Sequence, residues 1–187
     1  MRVFIAVFPP SEVVDALAAL VARVRRAGDG ISWVKPDNLH YTLRFLGELD
    51  ERRVEAVRRA AAQAVIGLAP FAAVLGAAGA FPDFRRPRVL WIGLDEGREP
   101  LELLARSLDE ALHREGFGPP DKPFRAHLTV GRVREGAGHG GGEAAGRLAG
   151  ERAPGRFTVG ALTVVHSTLD PRGSIYRPLG EYPLRGA

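Results

Sequence analysis

An internal duplication constrains the fold of this chain more than any other feature of its sequence. The string Lys-Pro-x-x-x-His-x-Thr begins at Lys35 and again at Lys122, 87 residues later. The same offset aligns Leu17 with Leu104, and both lie in runs with apolar residues at helical spacing. Because the motif and the apolar pattern repeat together, we interpret the chain as two copies of one supersecondary unit.

The first copy predicts alternating strands and helices. Apolar runs bounded by proline and glycine are typical of buried strands, and apolar positions three and four apart are typical of amphipathic helices. Ser11 is the expected N-cap of the first helix, and Gly28 is expected to end it. The predicted strands cover residues 3–8, 31–34, 39–46 and 71–79, and the predicted helices cover 11–27 and 51–65.

The second copy repeats this order up to a glycine-rich stretch. Strands are predicted at 89–94 and 124–133, with an amphipathic helix at 99–114 between them. Residues 136–150 predict a loop or poorly ordered insert, with room for a short helix near 143–149. Further strands are predicted at 157–165 and 174–184. Since nothing between the copies reads as a long linker, we predict one bilobed domain over residues 1–187, with repeats at about 1–80 and 88–168.

Composition narrows the chemistry that is open to the chain. There is no cysteine, which excludes disulfides, thiolate nucleophiles and cysteine-ligated metal sites. The net charge is only +4, but 24 of the 26 basic residues are arginine, which suits bidentate contact with phosphate. A GC-rich genome also favours arginine, so the charge permits a nucleic-acid partner without requiring one.

The apolar runs of the sequence are short. None approaches the roughly 18 residues of a membrane span, and the run at 3–8 is too short for a signal-peptide core. We therefore expect a cytoplasmic protein without membrane contact.

Each His-x-Thr motif predicts a unit that can handle a phosphate. Residues two apart on a strand project from the same face, so His40 lies beside Thr42 and His127 beside Thr129. A lone histidine in an apolar strand is usually a core residue, but a pseudo-two-fold axis would bring both pairs into one central groove. One imidazole then removes a proton from an attacking hydroxyl or water while the other protonates the leaving oxygen. Neither role requires a metal, and no His-x-His or His-Glu-x-x-His spacing accompanies the motifs.

The segments around the two motifs resemble those of a known family. Residues 33–47 read Trp-Val-Lys-Pro-Asp-Asn-Leu-His-Tyr-Thr-Leu-Arg-Phe-Leu-Gly, and residues 123–132 read Pro-Phe-Arg-Ala-His-Leu-Thr-Val-Gly-Arg. With Phe81-Pro82 and the late Ser174-Ile175-Tyr176, they resemble the two-histidine phosphoesterases. The resemblance is to the bacterial and archaeal RNA 2′,3′-cyclic phosphodiesterases, long called 2′-5′ RNA ligases, and it extends along nearly the whole chain.

This resemblance implies both a fold and an activity. The fold is α+β, with a duplicated β-α-β-α-β unit, two lobes of antiparallel sheet that enclose a central groove, and helices outside. The activity is metal-independent opening of a terminal 2′,3′-cyclic phosphate of RNA to a 2′-phosphate, with no cofactor.

The resemblance also implies roles for individual residues. The catalytic pair falls on His40 and His127, and the phosphate-binding residues are Thr42, Thr129 and Arg132. The duplication makes the two histidines nearly equivalent in sequence. The resemblance favours His40 as the acid and His127 as the base.

The expected partner is an RNA end that carries a 2′,3′-cyclic phosphate, such as a tRNA fragment, bound by a monomer. Trp33, Arg86 and Tyr176 are candidates for RNA or base contacts, since aromatic rings stack on unpaired bases. Two alternatives stay open. One is reversible 2′-5′ ligation of RNA, and the other is a nucleotide-binding module without turnover.

Overall fold

The computed structural model of the chain describes residues 1–136, 139–171 and 173–186. The strands are β1 (Arg2–Val7), β2 (Ile31–Trp33), β3 (Tyr41–Glu48), β4 (Phe71–Phe81), β5 (Val89–Glu96), β6 (Leu128–Val133), β7 (Arg156–Val159), β8 (Ala161–Thr168) and β9 (Ile175–Pro183). The helices are α1 (Ser11–Val24), α2 (Glu51–Ala64), α3 (Arg98–Arg114) and α4 (Gly140–Ala149), and a single 3-10 turn covers Pro36–Asn38. No helix in these described ranges is long and apolar enough to cross a membrane.

The element order confirms the duplicated β-α-β-α-β unit. Shifting the first copy by 87 residues brings β1 onto β5, α1 onto α3, β3 onto β6, α2 onto α4, and β4 onto β7 and β8. The antiparallel sheet has the order β7-β4-β5-β6-β3-β1-β8-β9, and β2 pairs with β6. The copies exchange strands, because β4 of the first copy pairs with β5 of the second and β8 of the second pairs with β1 of the first.

The two lobes meet where β3 and β6 come together. The register there consists of one pair, Tyr41 with Leu128. One lobe contains β3, β1, β8 and β9, and the other contains β6, β5, β4 and β7 with the short β2. A single pair between the lobes leaves a groove along the junction, and the motif histidines lie directly before it in sequence.

The helices pack in two pairs on the outside of the lobes. Helix α2 packs on α3 over one lobe, with contacts to β3, β8 and β9, while α1 packs on α4 over the other, with contacts to β2 and β4. Apolar stripes drive this packing, since burial of an apolar side chain stabilises the fold by about 1.5–3 kcal/mol. The fully covered leucines include Leu17 and Leu20 of α1 and Leu104, Leu108 and Leu112 of α3.

The glycine-rich stretch is a correction to the sequence prediction. Residues 140–149 form helix α4, and Ala144, Ala145 and Leu148 are completely buried. The glycines allow close approach to the sheet, because a Cβ at Gly141 would lie 2.6 Å from a methyl group of Val133. Residues 137 and 138 of the predicted insert lie outside the described residues.

Several element boundaries also differ from prediction. Pro10, rather than Ser11, occupies the N-cap of α1, and no side chain caps that helix. The strand predicted at 157–165 is divided at Gly160 into β7 and β8, which pair in different lobes. Strands β3 and β6 begin at Tyr41 and Leu128, so each histidine stands one residue before its strand, where ladder pairing has not yet begun.

Candidate active site

A groove between the lobes brings the two motifs together. Its cavity has a volume of about 650 Å³ and contains His40, Thr42, His127 and Thr129 in its wall. Arg132 and Tyr176 line it as well. The structure thus places both His-x-Thr pairs at one site, contributed by equivalent positions of the two copies.

Equivalent β-bulges shape both walls of this groove. Opposite β1, the register slips between Thr42 and Arg44, and opposite β5 it slips between Thr129 and Gly131. A bulge adds one residue to a strand, so residues three apart come to face the same side. Phe45 therefore joins Thr42 in the groove on β3.

Arg132 joins Thr129 in the groove on β6 for the same reason. Arg44, which pairs with Ile5 directly after the bulge on β3, points to the helix side instead. Its guanidinium lies 3.0 Å from the carboxylate of Asp109 on α3.

His40 is held in one orientation by its surroundings. Its Nδ1–H donates to the carbonyl of Asn38 at 2.7 Å, and because a carbonyl only accepts, this bond requires the proton on Nδ1. The hydroxyl of Thr42 donates to the free Nε2 at 2.8 Å. The rings of Phe4, Phe8 and Tyr176 lie 4.9, 5.4 and 5.5 Å from the imidazole, centre to centre.

His127 has the same backbone anchor and a more open shell. Its Nδ1–H donates to the carbonyl of Arg125 at 2.6 Å, the position that matches Asn38 under the offset of 87. Phe81 lies 5.0 Å away edge-on and Trp91 lies 6.4 Å away. Within the described residues, no hydrogen bond joins Nε2 of His127 to Thr129, so this nitrogen is open to the groove.

The groove lowers the pKa of both imidazoles. Burial, together with the charges of Arg132 and His127, lowers the pKa of His40 to about 4, and the hydrogen bond to Asn38 only partly offsets this. Burial also lowers the pKa of His127, with further lowering from Arg132 and Arg125. An anion between the two rings would offset these positive charges and raise both pKa values.

The groove is lined by uncompensated cations. Among its lining residues in the described part of the chain there is no aspartate or glutamate, and none of its cations forms an ion pair with a carboxylate. The guanidinium of Arg2 lies over Phe45 at 5.0 Å, and that of Arg125 lies over Phe81 at 5.3 Å. This arrangement favours a phosphate ligand. The cations are Arg2, Lys122, Arg125 and Arg132.

The donor set of the groove suits proton transfer rather than metal ligation. Across residues 1–136, 139–171 and 173–186, no three histidine, cysteine, aspartate or glutamate side chains group closely enough to hold a metal ion. Each histidine supplies one Nε2 that carries no proton, and the threonines supply hydroxyl donors for a phosphate oxygen.

The duplication is visible in comparison with known proteins. The model of the LigT-like phosphoesterase family matches the chain twice in succession, at residues 7–91 and 92–176. The chain belongs to the LigT-like phosphoesterase family. The two family matches begin and end some residues later than the repeats at about 1–80 and 88–168 that the offset of 87 predicts.

Relatives of this LigT-like phosphoesterase cover its whole length. An RNA 2′,3′-cyclic phosphodiesterase of Archaeoglobus fulgidus is 37% identical over 184 residues, which are 96% of this chain and 98% of that protein. One from Thermus thermophilus is 35% identical and covers 100% of this chain and 91% of its own.

Solved structures share the fold of this LigT-like phosphoesterase. The protein TT0787 of Thermus thermophilus superposes with a TM-score of 0.80 at 30% identity, over 100% of this chain and 99% of that one. E. coli LigT complexed with 3′-AMP superposes with a TM-score of 0.78 at 27% identity, over 98% and 97% of the two chains.

Of the three residues predicted to contact RNA, the structure brings one into the groove. Tyr176 lies in the wall, edge-on to His40. Trp33 lines an adjacent cavity instead, and its indole N–H donates to Asp29 at 3.0 Å. Arg86 is exposed in the loop after β4, also outside the cavity, and its backbone N–H donates to Asp83. The contacts of Trp33 and Arg86 with RNA stay predictions.

Sequence reasoning missed Phe45 as a groove residue. Its side chain is 52% exposed at one end of the groove, whereas an apolar strand predicts a buried ring. The offset of 87 offers a signal, because it aligns Phe45 with Arg132, the residue that the resemblance places on the phosphate. Positions that match under a duplication share a face, so both belong to the groove.

Proposed function

We propose that the chain hydrolyses the terminal 2′,3′-cyclic phosphate of RNA to a 2′-phosphate. The observation that carries this proposal is the pair of histidines, each anchored through Nδ1 and each presenting Nε2 to one cation-lined groove. The relatives named as RNA 2′,3′-cyclic phosphodiesterases, which match the chain from end to end, also support it.

In the proposed reaction, each histidine moves one proton. Nε2 of His127 takes a proton from water, and the water oxygen attacks phosphorus opposite the 3′-oxygen. The bond from phosphorus to the 3′-oxygen breaks, and Nε2–H of His40 gives its proton to that oxygen. The phosphate remains on the 2′-oxygen, and solvent returns both histidines to their starting states. Each proton transfer accelerates such a step by about 10²–10⁴-fold.

The shells of the two rings support this assignment of roles. The base must share its site with a water molecule, and the unbonded Nε2 of His127 faces the more open side of the groove. The acid must deliver its proton to a group inside the groove, and three aromatic rings shield His40. The bound phosphate anion raises the pKa of His40 and so allows it to hold the proton it delivers.

Thr42, Thr129 and Arg132 bind the phosphate in this proposal. Each hydroxyl donates to a non-bridging oxygen, and for Thr42 this means exchanging its bond to His40 for one to the substrate. The guanidinium of Arg132 neutralises the charge that builds on the five-coordinate phosphorus, a form of preorganised electrostatic stabilisation. We further propose that the substrates include tRNA fragments and that the protein acts as a cytoplasmic monomer.

The test is incubation of a 2′,3′-cyclic-phosphate oligonucleotide with purified protein in a chelator, followed by identification of the product. A linear 2′-phosphate is expected. A 3′-phosphate would overturn the proposed regiochemistry, and activity lost in the chelator and restored by zinc or manganese would overturn the two-histidine mechanism. Adding a second RNA with a free hydroxyl terminus tests ligation, whose product carries a 2′-5′ linkage. Bound but unchanged substrate would indicate a binding module.

A further inference from the structure

A second cavity continues the groove beyond Arg132. It has a volume of about 540 Å³ and lies beside β2 and the end of β6. Asn38, Arg132, Ser174 and Tyr176 line both cavities, so the two are adjacent. A ligand seated on the histidines can therefore extend past these shared residues toward the second cavity.

This second cavity is lined by more cations than the reaction uses. Arg25, Lys35 and Arg134 join Arg132 around it, and the side chains of all four are exposed. Asp170 is the acidic residue of the same wall. Within the described residues, none of the four cations forms an ion pair with a carboxylate.

Strand pairing sets the direction of this row of charges. Ser32 pairs with Arg132, and the backbone N–H of Arg134 donates to Gly30 at 2.9 Å, so the antiparallel register continues to Arg134. Residues two apart on a strand share a face, so Arg134 lies one step beyond Arg132 on the same face. Lys35 adds its charge from the start of the 3-10 turn.

Four exposed arginines elsewhere on the surface are paired with acids. Arg23 is paired with Glu151 at 2.9 Å and Arg59 with Glu115 at 2.7 Å, and Arg152 and Arg156 are paired with Asp95 and Glu96. Cations crowded around one depression repel one another, and a bound polyanion would relieve that repulsion. Four cations that share one depression and form no ion pair with a carboxylate within the described residues therefore favour a polyanionic ligand.

We propose that this second cavity binds the sugar-phosphate backbone of the RNA on the 5′ side of the cyclic phosphate, with Arg25, Lys35 and Arg134 contacting its phosphates. The proposal rests on the proposed function. A cyclic phosphate is the 3′ terminus of its strand, so the rest of the RNA leaves the groove from the 5′ side. The cation-lined extension provides a path for it, and phosphate contacts of this kind bind without regard to sequence.

The test compares an octanucleotide and a mononucleotide, each ending in a 2′,3′-cyclic phosphate. Removing Arg25, Lys35 and Arg134 together by alanine substitution should lower kcat/KM for the octanucleotide about tenfold at low salt and leave the mononucleotide unchanged. The slope of log kcat/KM against log salt should fall by about 2, since each contact to a single strand contributes about 0.7. The matched control is R52A/R106A/R114A, which removes three exposed arginines from the outer helices α2 and α3.

The possible outcomes separate this proposal from the proposed function. If the wild-type protein hydrolyses neither substrate, the proposed function fails. If it hydrolyses both and the triple variant keeps the wild-type preference and salt slope, only the backbone path is wrong. If alanine at Arg85, Arg86 and Arg88 removes the preference instead, the RNA leaves over the loop after β4. Should the triple variant be unstable, Lys35→Gln provides the test with a single exposed substitution. It should lower the slope of log kcat/KM against log salt by about 0.7.

Discussion

His40 and His127 occupy equivalent positions in the two copies of the unit, but their surroundings differ. Both donate Nδ1–H to the carbonyl two residues earlier. His40 is surrounded by three aromatic rings and accepts a hydrogen bond from Thr42, whereas His127 has two rings and a free Nε2. The backbone anchor and one ring, Phe4 beside His40 and Trp91 beside His127, thus follow the duplication, and the other rings do not.

The proposed reaction is asymmetric, and this difference gives the symmetric fold two distinct histidines. An acid and a base must hold opposite protonation states, so two identical environments would serve neither role well. The shell around His40 excludes water more fully, and its pKa falls to about 4. In the proposed reaction, the attacking water comes from the groove solvent beside His127. Because the fold lowers the pKa of His40, the proposed acid holds its proton only once a phosphate anion lies between the rings, so packing and substrate together separate the roles.

The largest expected effect comes from removing either imidazole. His40→Ala and His127→Ala should each lower kcat for an oligonucleotide with a 2′,3′-cyclic phosphate by at least about 10²-fold, because each loses one proton transfer. Initial rates and circular dichroism of both variants check this. If either variant kept nearly full activity while folded, the duplication would be structural and the reaction would not use two histidines.

The chemistry of the leaving group tests which histidine is the acid and which is the base. A substrate with sulfur in place of the 3′-bridging oxygen releases a thiolate, which leaves without a proton. It should restore most of the activity of His40→Ala and leave His127→Ala inactive, since that variant still lacks its base. Rescue of His127→Ala instead would reverse the two roles. Rates of both variants with the oxygen substrate serve as the reference.

The comparison of the two copies also shows what the sequence can predict. The repeated Lys-Pro-x-x-x-His-x-Thr and the helical spacing of leucines predict the duplicated unit and the helices α1, α2 and α3, because these signals are local. For helix α4 the sequence predicts only a short helix within an insert, since glycine disfavours helices in isolation. The offset of 87 places α4 where α2 lies, so the duplication contains information that composition obscures.

The groove itself is harder to predict because it depends on pairing between distant strands. A strict period of two puts Thr42 and Phe45 on opposite faces, and only the bulge opposite β1 brings them together. The aromatic shell of His40 combines Phe4 of β1 with Tyr176 of β9, whose distance in the sequence gives no local signal. The motifs therefore predict which histidines and threonines share the groove, and they do not predict how the surroundings of the two histidines differ.

Stability against acid should also distinguish the two histidines. The pKa of His40 is about 4 in the folded protein and about 6.5 in the unfolded chain, so below pH 6.5 the unfolded chain takes up a proton that the folded protein does not. The free energy of unfolding should fall by about 3 kcal/mol as the pH drops from about 6.5 to 4 because of this group alone.

Denaturant unfolding near neutrality and near pH 4 measures this loss. His40→Ala should lose less stability on acidification than the wild-type protein. His127→Ala, which removes the less enclosed imidazole, should resemble the wild-type protein more closely. Equal pH dependence of the wild-type protein and His40→Ala would show that His40 is not held neutral by the fold.

The smallest expected effect concerns the two hydroxyls. Thr42→Ala and Thr129→Ala should each reduce kcat/KM by about 2- to 13-fold, which corresponds to the 0.5–1.5 kcal/mol of a neutral hydrogen bond.

Within the described residues, only Thr42 also forms a hydrogen bond with its own histidine, and a hydrogen bond donated to the neutral ring disfavours protonation. Thr42→Ala should therefore raise the pKa of His40 in an NMR titration, while Thr129→Ala leaves the titration of His127 in place. Thr42→Ser, which keeps the hydroxyl, is the control and should titrate like the wild-type protein. If Thr129→Ala raised the pKa of His127 as much as Thr42→Ala raises that of His40, the two pairs would be organised alike. The asymmetry of the roles would then have to arise from the substrate.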